Sequence, residues 1–331
     1  QSLTTWFADL IKTIKPTIVH THHYAHLGLE YLRIIKQIDP SIHIYITLHE
    51  YMAICLHDGQ MIKKGDFKLC SRESFDECQR CFPEKTSEDF WLRKHIFQTY
   101  FKLADGFIAP SEFLRQRYIA WGLKPEQIIV IENGQADKPA LAPRLLHEGE
   151  TRNRFAYFGQ ITQYKGLDII LEALQALPKE ERKKIVLEVH GANLEYQPQA
   201  FKDKIENLRT KLIKEGVVQW VGAYQPYEIS DRMAGIDWVI VPSVWWENSP
   251  MVIQEAFIHG KPVICSNIGG MAEKVQHNID GLHVPAGNVF AWQNTLRRVT
   301  QDELLWNTLH SNIKKPLSYQ DCAEQHFNFF K

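Results

Sequence analysis

No stretch of this 331-residue chain approaches the roughly 20 consecutive apolar residues that a bilayer-spanning helix needs, so a helical membrane-spanning class is excluded. Charge of one sign is not in excess either. Lys and Arg total 38 against 39 Asp and Glu, a net charge of -1, so there is no general pull toward nucleic acid and any membrane affinity must come from a local patch. Six cysteines, unevenly spread, are too few for a secreted disulfide scaffold. No two aspartates are separated by a single residue, which disfavours an Asp-x-Asp clamp for a divalent metal on a diphosphate. Internal repeats and low-complexity tracts are absent, against a solenoid or a disordered chain. No signal-peptide pattern opens the sequence, and the expected setting is cytoplasmic.

What is present is the texture of a soluble globular protein, with 44% hydrophobic and 23% charged residues and enough length for two cores. Short β-branched runs alternate with helical patterns, the signature of parallel sheets with crossover helices. The spacing predicts strands at 17–21, 43–48, 106–109 and 128–131 in the first half. Strands are also predicted at 154–158, 185–189, 217–221, 238–241, 263–265 and 282–284. A helix over 3–14 precedes the first strand. Another over 88–103 sets Leu92, Ile96 and Leu103 on one face, and a third starts at Ser111, a good N-cap, and stops before Gly122. The stretch 50–86 lacks a clear period. An alanine- and proline-rich segment after Asn133-Gly134 reads as a linker. The expected division is a first α/β domain over 1–136, a linker over 137–150, a second doubly wound domain over 151–312, and a terminal helix over 313–331.

The most informative stretch runs from Pro242-Ser243 through Trp245, Trp246, Glu247, Asn248, Ser249 and Pro250 to Glu255. Two carboxylates stand eight positions apart, the second on a helix expected to start near Ser249 with Pro250 in its first turn. Backbone donors of Ser249, Met251 and Val252, with the helix dipole, favour an anion such as a diphosphate. Glu255 follows Val252 and Met251 by three and four residues, so it shares their face, where a carboxylate repels phosphate but accepts hydrogen bonds from ribose hydroxyls. Glu247, in the preceding loop, is placed to face a hexose beyond the phosphates. The motif sits between a strand ending in Pro-Ser and a second strand after His259-Gly260-Lys261-Pro262.

With Tyr157-Phe158-Gly159, Lys165-Gly166-Leu167-Asp168, His190-Gly191, Trp220-Val221-Gly222 and Ile268-Gly269-Gly270-Met271-Ala272-Glu273 in this order, the chain resembles the retaining glycosyltransferases of family 4 from about Pro16 onward. The resemblance implies the GT-B fold, two Rossmann-like domains facing across a cleft. It implies a metal-independent transfer of a hexose from a UDP- or GDP-sugar to a glycan or lipid-linked acceptor, with no cofactor beyond the donor. The setting would be bacterial surface polysaccharide or glycolipid assembly, cytoplasmic or peripheral on the inner face of the membrane. Gly159, Gln160, Lys165, Gly191, Gly222, Tyr224, Glu247, Asn248, Ser249, Pro250, Met251, Val252 and Glu255 fall on the donor-binding positions. His49, Lys165 and Glu247 fall on the catalytic ones. Lys165 is the candidate cation for the diphosphate, Glu247 holds the sugar hydroxyls, and His49 hydrogen-bonds the hexose or steadies the developing oxocarbenium. A structural reading makes Lys165 a solvated lysine and His49 a satisfied strand-end residue. The family commonly has a basic residue where this chain has Gln160, which motivates a rival, a catalytically degenerate nucleotide- or glycan-binding partner subunit. The family's opening strand and glycine-rich loop are missing ahead of Gln1, and the expectation is a first domain truncated at its N-terminus.

Four cysteines, Cys55, Cys70, Cys78 and Cys81, lie close in sequence and permit either a four-thiolate zinc site or reduced thiols in a loop. His20, His22, His23 and His26 invite a metal reading, but strand alternation sends His20 and His22 to one face and His23 to the other, with no common centre. Tyr224 is either an aromatic wall for the base or a helix cap, and Trp245 and Trp246 are expected at the rim. Arg93, Lys94 and Lys102 give the helix over 88–103 a basic patch that either rests on anionic lipid, if the acceptor is lipid-linked, or is simply the helix's solvated face.

Overall fold

The computed structural model describes residues 2–24 and 27–330. It divides into two compact units, Gln1–Asn133 with Gln320–Lys331, and Gly134–Tyr319.

In the first unit, strands β1 (Ile18–Thr21), β2 (His43–Thr47), β3 (Gly106–Ala109) and β4 (Ile128–Val130) form a parallel sheet in sequence order. Ile44, Ile46 and Ile108 are fully buried, as befits a sheet covered on both faces. Helix Ser87–Phe101 is opened by a capping box, Thr86 and Asp89 each satisfying the other's backbone N–H. Helix Glu112–Trp121 is capped by the Ser111 hydroxyl, which accepts from Leu114 N at 3.2 Å. The terminal helix Tyr319–Phe329 carries Phe329 and Phe330 against Tyr45 of β2, with ring centroids 5.3 and 4.6 Å away.

One sequence expectation fails on helix Ser87–Phe101. Leu92 and Ile96 are 52% and 44% exposed, and the inward face is the aromatic one, Phe90 and Phe101. The basic patch is largely spent inside the unit. The Arg93 guanidinium donates to the carbonyls of Met52 and Ala53, and Lys94 pairs with Glu73 at 3.0 Å. The aperiodic stretch 50–86 holds one antiparallel bridge, Ile62 with Leu69, and the short helix Phe75–Cys81.

In the second unit, β5 (Arg154–Gln160), β6 (Val186–Ala192), β7 (Val218–Trp220), β8 (Trp238–Val241), β9 (Val263–Ser266) and β10 (Gly281–Val284) run parallel in the order β10-β9-β8-β5-β6-β7. The chain therefore starts at a central strand, winds outward through β7, then returns to wind the other way from β8. Strand order reverses between β5 and β8, the place where open α/β sheets bind ligands. Alternation along β5 feeds two cores: Phe155 and Tyr157 pack with Leu171, Ile205 and Trp238, while Ala156 and Phe158 pack with Met233, Ile253 and Met271.

One buried carboxylate ties the amino end of this sheet. Asp237, fully buried, accepts from Arg144 Nη2 at 3.0 Å, Arg152 Nη1 at 3.1 Å and the Arg154 backbone N–H at 3.1 Å. Both units are thus α/β, each with its own parallel sheet. Among the described residues no helix is long and apolar enough to cross a membrane.

Candidate active site

The carboxyl ends of β5, β6 and β7 meet in three glycines. Gly159 and Gly191 are register partners, and Gly191 N donates to Gly222 O at 2.9 Å. A Cβ on Gly191 would lie 2.4 Å from Gly159 O, and Gly159 and Gly222 take φ of +146° and +90°, values that L side chains rarely adopt. The three strand ends thus form a floor of bare backbone beside the sheet's reversal point, where a ligand can approach closely. Gln160 ends β5 with its side chain exposed, and its carbonyl accepts from the Tyr157 hydroxyl at 2.6 Å.

The loops after β5 and β8 are stitched together beside that floor. Val244 N donates to Tyr164 O at 2.9 Å. Gly166, with φ +70°, passes so near the second loop that a Cβ would sit 2.1 Å from Pro242 O. Side chains complete the junction. Lys165 Nζ donates to Glu247 Oε1 at 2.7 Å, the Ser243 hydroxyl donates to the same oxygen at 2.7 Å, and Trp245 Nε1 does so at 2.9 Å. Glu247 is only 8% exposed. Burial pushes its carboxyl up, but the Lys165 charge and the three hydrogen bonds outweigh that and hold it below the usual carboxylate range. Lys165 is therefore no solvated surface lysine, and its ammonium, with three N–H donors, keeps capacity for an anion.

The Glu247 backbone is held as well. Gly270 N donates to Glu247 O at 2.7 Å, and a Cβ on Gly270 would lie 1.8 Å from Asn248 O. The Gly269-Gly270 pair is explained by this close approach. Gly270→Ala is expected to cost about 1–3 kcal/mol of stability, because backbone must move to admit the methyl group. Urea unfolding of the variant measures it, and an unchanged midpoint would contradict the contact.

The next helix begins at Met251, two residues after Ser249, where it was expected to start, and runs to Ile258. Pro250 is its N-cap residue, with φ -64° and ψ 116°, outside the first turn. The leading N–H groups are accordingly those of Met251 and Val252, without Ser249. The Ser249 hydroxyl is buried with no partner among the described residues. Glu255 lies further along the helix, its carboxyl raised by burial, an effect the Lys138 charge partly offsets. The Tyr224 hydroxyl is pushed up to about 12 by burial and by the Glu255 charge. Tyr224 is no helix cap, a role Gln225 takes. It meets Phe158 edge-on at 5.6 Å, and Phe158 stacks on buried His190 at 4.5 Å. The buried Tyr157 hydroxyl is raised by burial, then by the Glu247 charge and by Tyr224. The two glutamates thus share a neighbourhood through Tyr157 and Tyr224, while Glu247, Lys165, Ser243 and Trp245 touch directly. Trp245 was expected at the rim, and its indole N–H bond to Glu247 was missed. The only signal for it in the sequence is its position two residues ahead of that carboxylate.

His49 belongs to the first unit, just beyond β2. Its Nε2 is 3.0 Å from His22 Nδ1, and its ring lies 5.3 Å from that of His23. His20 bonds Thr47 at 2.7 Å and sits 4.4 Å from the His22 ring and 5.3 Å from His326. His23 does not face away from His22 as alternation predicts, since both rings lie 5.3 Å from that of His49. Strand β1 ends at Thr21, so alternation no longer governs His22 and His23. His26 lies outside the described residues. Among the described residues no group of three or more His, Cys, Asp or Glu side chains is placed to hold a metal ion, and this covers the cysteines too. Burial raises Cys55 and Cys78 and pushes Cys70 up to about 11.

Burial, then neighbouring histidine charge, lowers both His20 and His49 to about 4. Their folded pKa values lie below the ordinary 6.5, so the unfolded chain binds more protons between pH 6.5 and 4. Stability fully present above pH 6.5 is lost as pH falls toward 4. The melting temperature of the protein is expected to drop by several degrees over that window, and less in a His20→Gln, His49→Gln variant. Equal slopes for the two proteins would overturn this.

Comparison with known proteins supports the same reading. The family described as Glycosyl transferases group 1 matches residues 143–316, and Glycosyltransferase Family 4 matches residues 2–135. Amylovoran biosynthesis glycosyltransferase AmsK of Erwinia amylovora is 27% identical over 228 residues, 64% of this chain and 53% of that protein. The UDP-Gal:alpha-D-GlcNAc-diphosphoundecaprenol alpha-1,3-galactosyltransferase of Escherichia coli is 32% identical over 90 residues, 27% of this chain and 23% of that one. The chain spans about half the length or less of the curated relatives it matches. In fold it resembles the crystal structure of Anabaena Alr3699/HepE in complex with UDP and glucose, at a TM-score of 0.68 and 18% identity over 100% of this chain and 83% of that one. The fold is of the GT-B type, and with a family match over more than half its length the chain belongs to the group 1 glycosyl transferases.

Proposed function

We propose that this chain is a retaining, metal-independent hexosyltransferase that moves a hexose from a UDP- or GDP-sugar to a glycan or lipid-linked acceptor, in bacterial surface polysaccharide or glycolipid assembly. The observation that carries the reading is the convergence of Lys165, Ser243 and Trp245 on Glu247, immediately before the N-terminus of helix Met251–Ile258 and beside the glycine floor. The diphosphate would lie against the leading N–H groups and the Lys165 ammonium, which stabilise charge as it builds on the leaving group. Glu247 would accept from the sugar hydroxyls, Glu255 from the ribose, and Tyr224 would wall the base. His49, a neutral imidazole near pH 7, would hydrogen-bond the hexose. Asn248, Ser249 and Gly191 would line the diphosphate.

Among the described residues no side chain beside Glu247 is arranged as a nucleophile, which favours same-face attack. The bond from the anomeric carbon to the diphosphate oxygen breaks, the acceptor oxygen bonds to that carbon from the same side, and its proton passes to the departing phosphate. The names of the Escherichia coli relative and the Anabaena complex agree with a UDP-sugar donor and a lipid-linked acceptor. Peripheral membrane contact through helix Ser87–Phe101 would rest on exposed Trp91, Leu92 and Ile96 more than on its cations.

Gln160 in place of a cation favours the second reading, a nucleotide-binding partner without turnover. Incubation with UDP- and GDP-sugars and candidate acceptors, followed by nucleotide release, decides between them. Release with glycosylated product supports transfer. Binding with no release supports the partner subunit, and neither binding nor release removes both.

A further inference from the structure

Resting on that reading, we propose that Trp245 is a positioning residue: its indole N–H, together with the Ser243 hydroxyl, commits one oxygen of Glu247 to the protein so that the other alone is presented to the donor sugar. Three donors converge on Oε1, from Lys165, Ser243 and Trp245 at 2.7, 2.7 and 2.9 Å. Among the described residues none reaches Oε2. A carboxylate has about four acceptor positions shared between two oxygens. Crowding three donors onto one oxygen fixes the plane of the group and leaves the second oxygen's lone pairs pointing in one defined direction.

The indole is itself held. It stacks on Tyr164, centroids 5.7 Å apart and planes 25° apart, and Lys165 Nζ lies 5.5 Å from its centroid. Tyr164 in turn accepts the Val244 N–H through its carbonyl, so the residues on both sides of the junction fix the ring. Lys165 alone could not give this orientation, because its flexible stem and rotating ammonium follow the carboxylate instead of directing it. An indole N–H lies in the plane of a rigid ring and has one direction. Trp245 therefore supplies geometry, while Lys165 supplies charge.

The test is Trp245→Phe in the full chain, which keeps an aromatic ring against Tyr164 and deletes the one N–H. The variant is expected to melt within about 2 °C of the parent. The donor KM should stay within about threefold while kcat falls about tenfold, as for loss of one hydrogen bond to a charged group used in the transition state. The acid limb of the kcat profile should move to higher pH, because Glu247 keeps the raising effect of burial and the lowering effect of Lys165 and Ser243, with Tyr157 unchanged on β5, but loses one donor. A merely structural tryptophan would lower stability and leave that limb in place. The Glu247 carboxyl titration, followed by carbon NMR in both proteins, gives the same shift without turnover. A parent with no transferase activity would sink the functional reading alone, and the NMR shift would still decide the role of Trp245. An unmoved Glu247 titration, or kcat within twofold of the parent in an active enzyme, overturns the proposal.

Discussion

Lys165→Ala is expected to lower kcat/KM for donor turnover by about 10²–10³-fold, the range for deleting one preorganised stabiliser of developing charge. Two losses combine in this variant. The diphosphate would lose the cation proposed for it, and Gln160 brings a dipole with no charge to compensate. Glu247 is left at 8% exposure with its ionic partner gone, so burial would push its carboxyl upward and part of the population would be protonated near neutral pH. Lys165→Arg should recover part of the rate, though not all, because a planar guanidinium cannot occupy the ammonium's place against both Glu247 and a phosphate. Single-turnover nucleotide release checks this, with melting temperature as the control for folding. A Lys165→Ala enzyme within a few-fold of the parent would remove Lys165 from the catalytic machinery.

Asp237→Ala is expected to destabilise the second unit by about 3–5 kcal/mol, the cost of removing one partner from a buried ionic group. The deleted carboxylate would leave Arg144 and Arg152 without their shared acceptor and the Arg154 N–H unsatisfied. Arg152 has few alternatives, as it is 8% exposed and stacked over Trp306 at 4.1 Å. Lys261 adds to the effect. It is 1% exposed, and burial lowers it to about 8 even with the Asp237 charge partly offsetting. Removing that charge would push it lower still. Urea denaturation followed by tryptophan fluorescence should report the loss, since Trp238 and Trp306 lie in this core. Because the hub is at the amino end of the sheet and the site at the carboxyl end, activity in the absence of denaturant should fall far less than stability.

The strands were legible because buried parallel strands must be short, apolar and β-branched, and all ten predicted runs fall on strands of the structure, two with identical bounds and none with an end more than three residues off. Order within a sheet has no such local signature, though resemblance supplied the doubly wound form. Leu92 and Ile96 mark where periodicity misled. Helix Ser87–Phe101 has apolar residues on two faces, and pattern alone does not choose which is covered. The histidines misled for a different reason, since a two-residue period holds only while the strand lasts.

Sequence by itself determined the residue types of the site: a lysine beside a glycine turn, two carboxylates eight apart, and glycines ending three strands. These are short-range requirements of backbone conformation and chemical type, written wherever they occur along the chain. Only the tertiary structure decided that Lys165, Ser243 and Trp245 all spend a hydrogen bond on one oxygen of Glu247, and that Gly270 supports its backbone. Ser243 and Trp245 lie within four residues of Glu247, but the Lys165 and Gly270 contacts join segments far apart in the chain, and the ångström-scale geometry of all four is set by how β5, β8 and the segment after β9 pack, which no local pattern encodes.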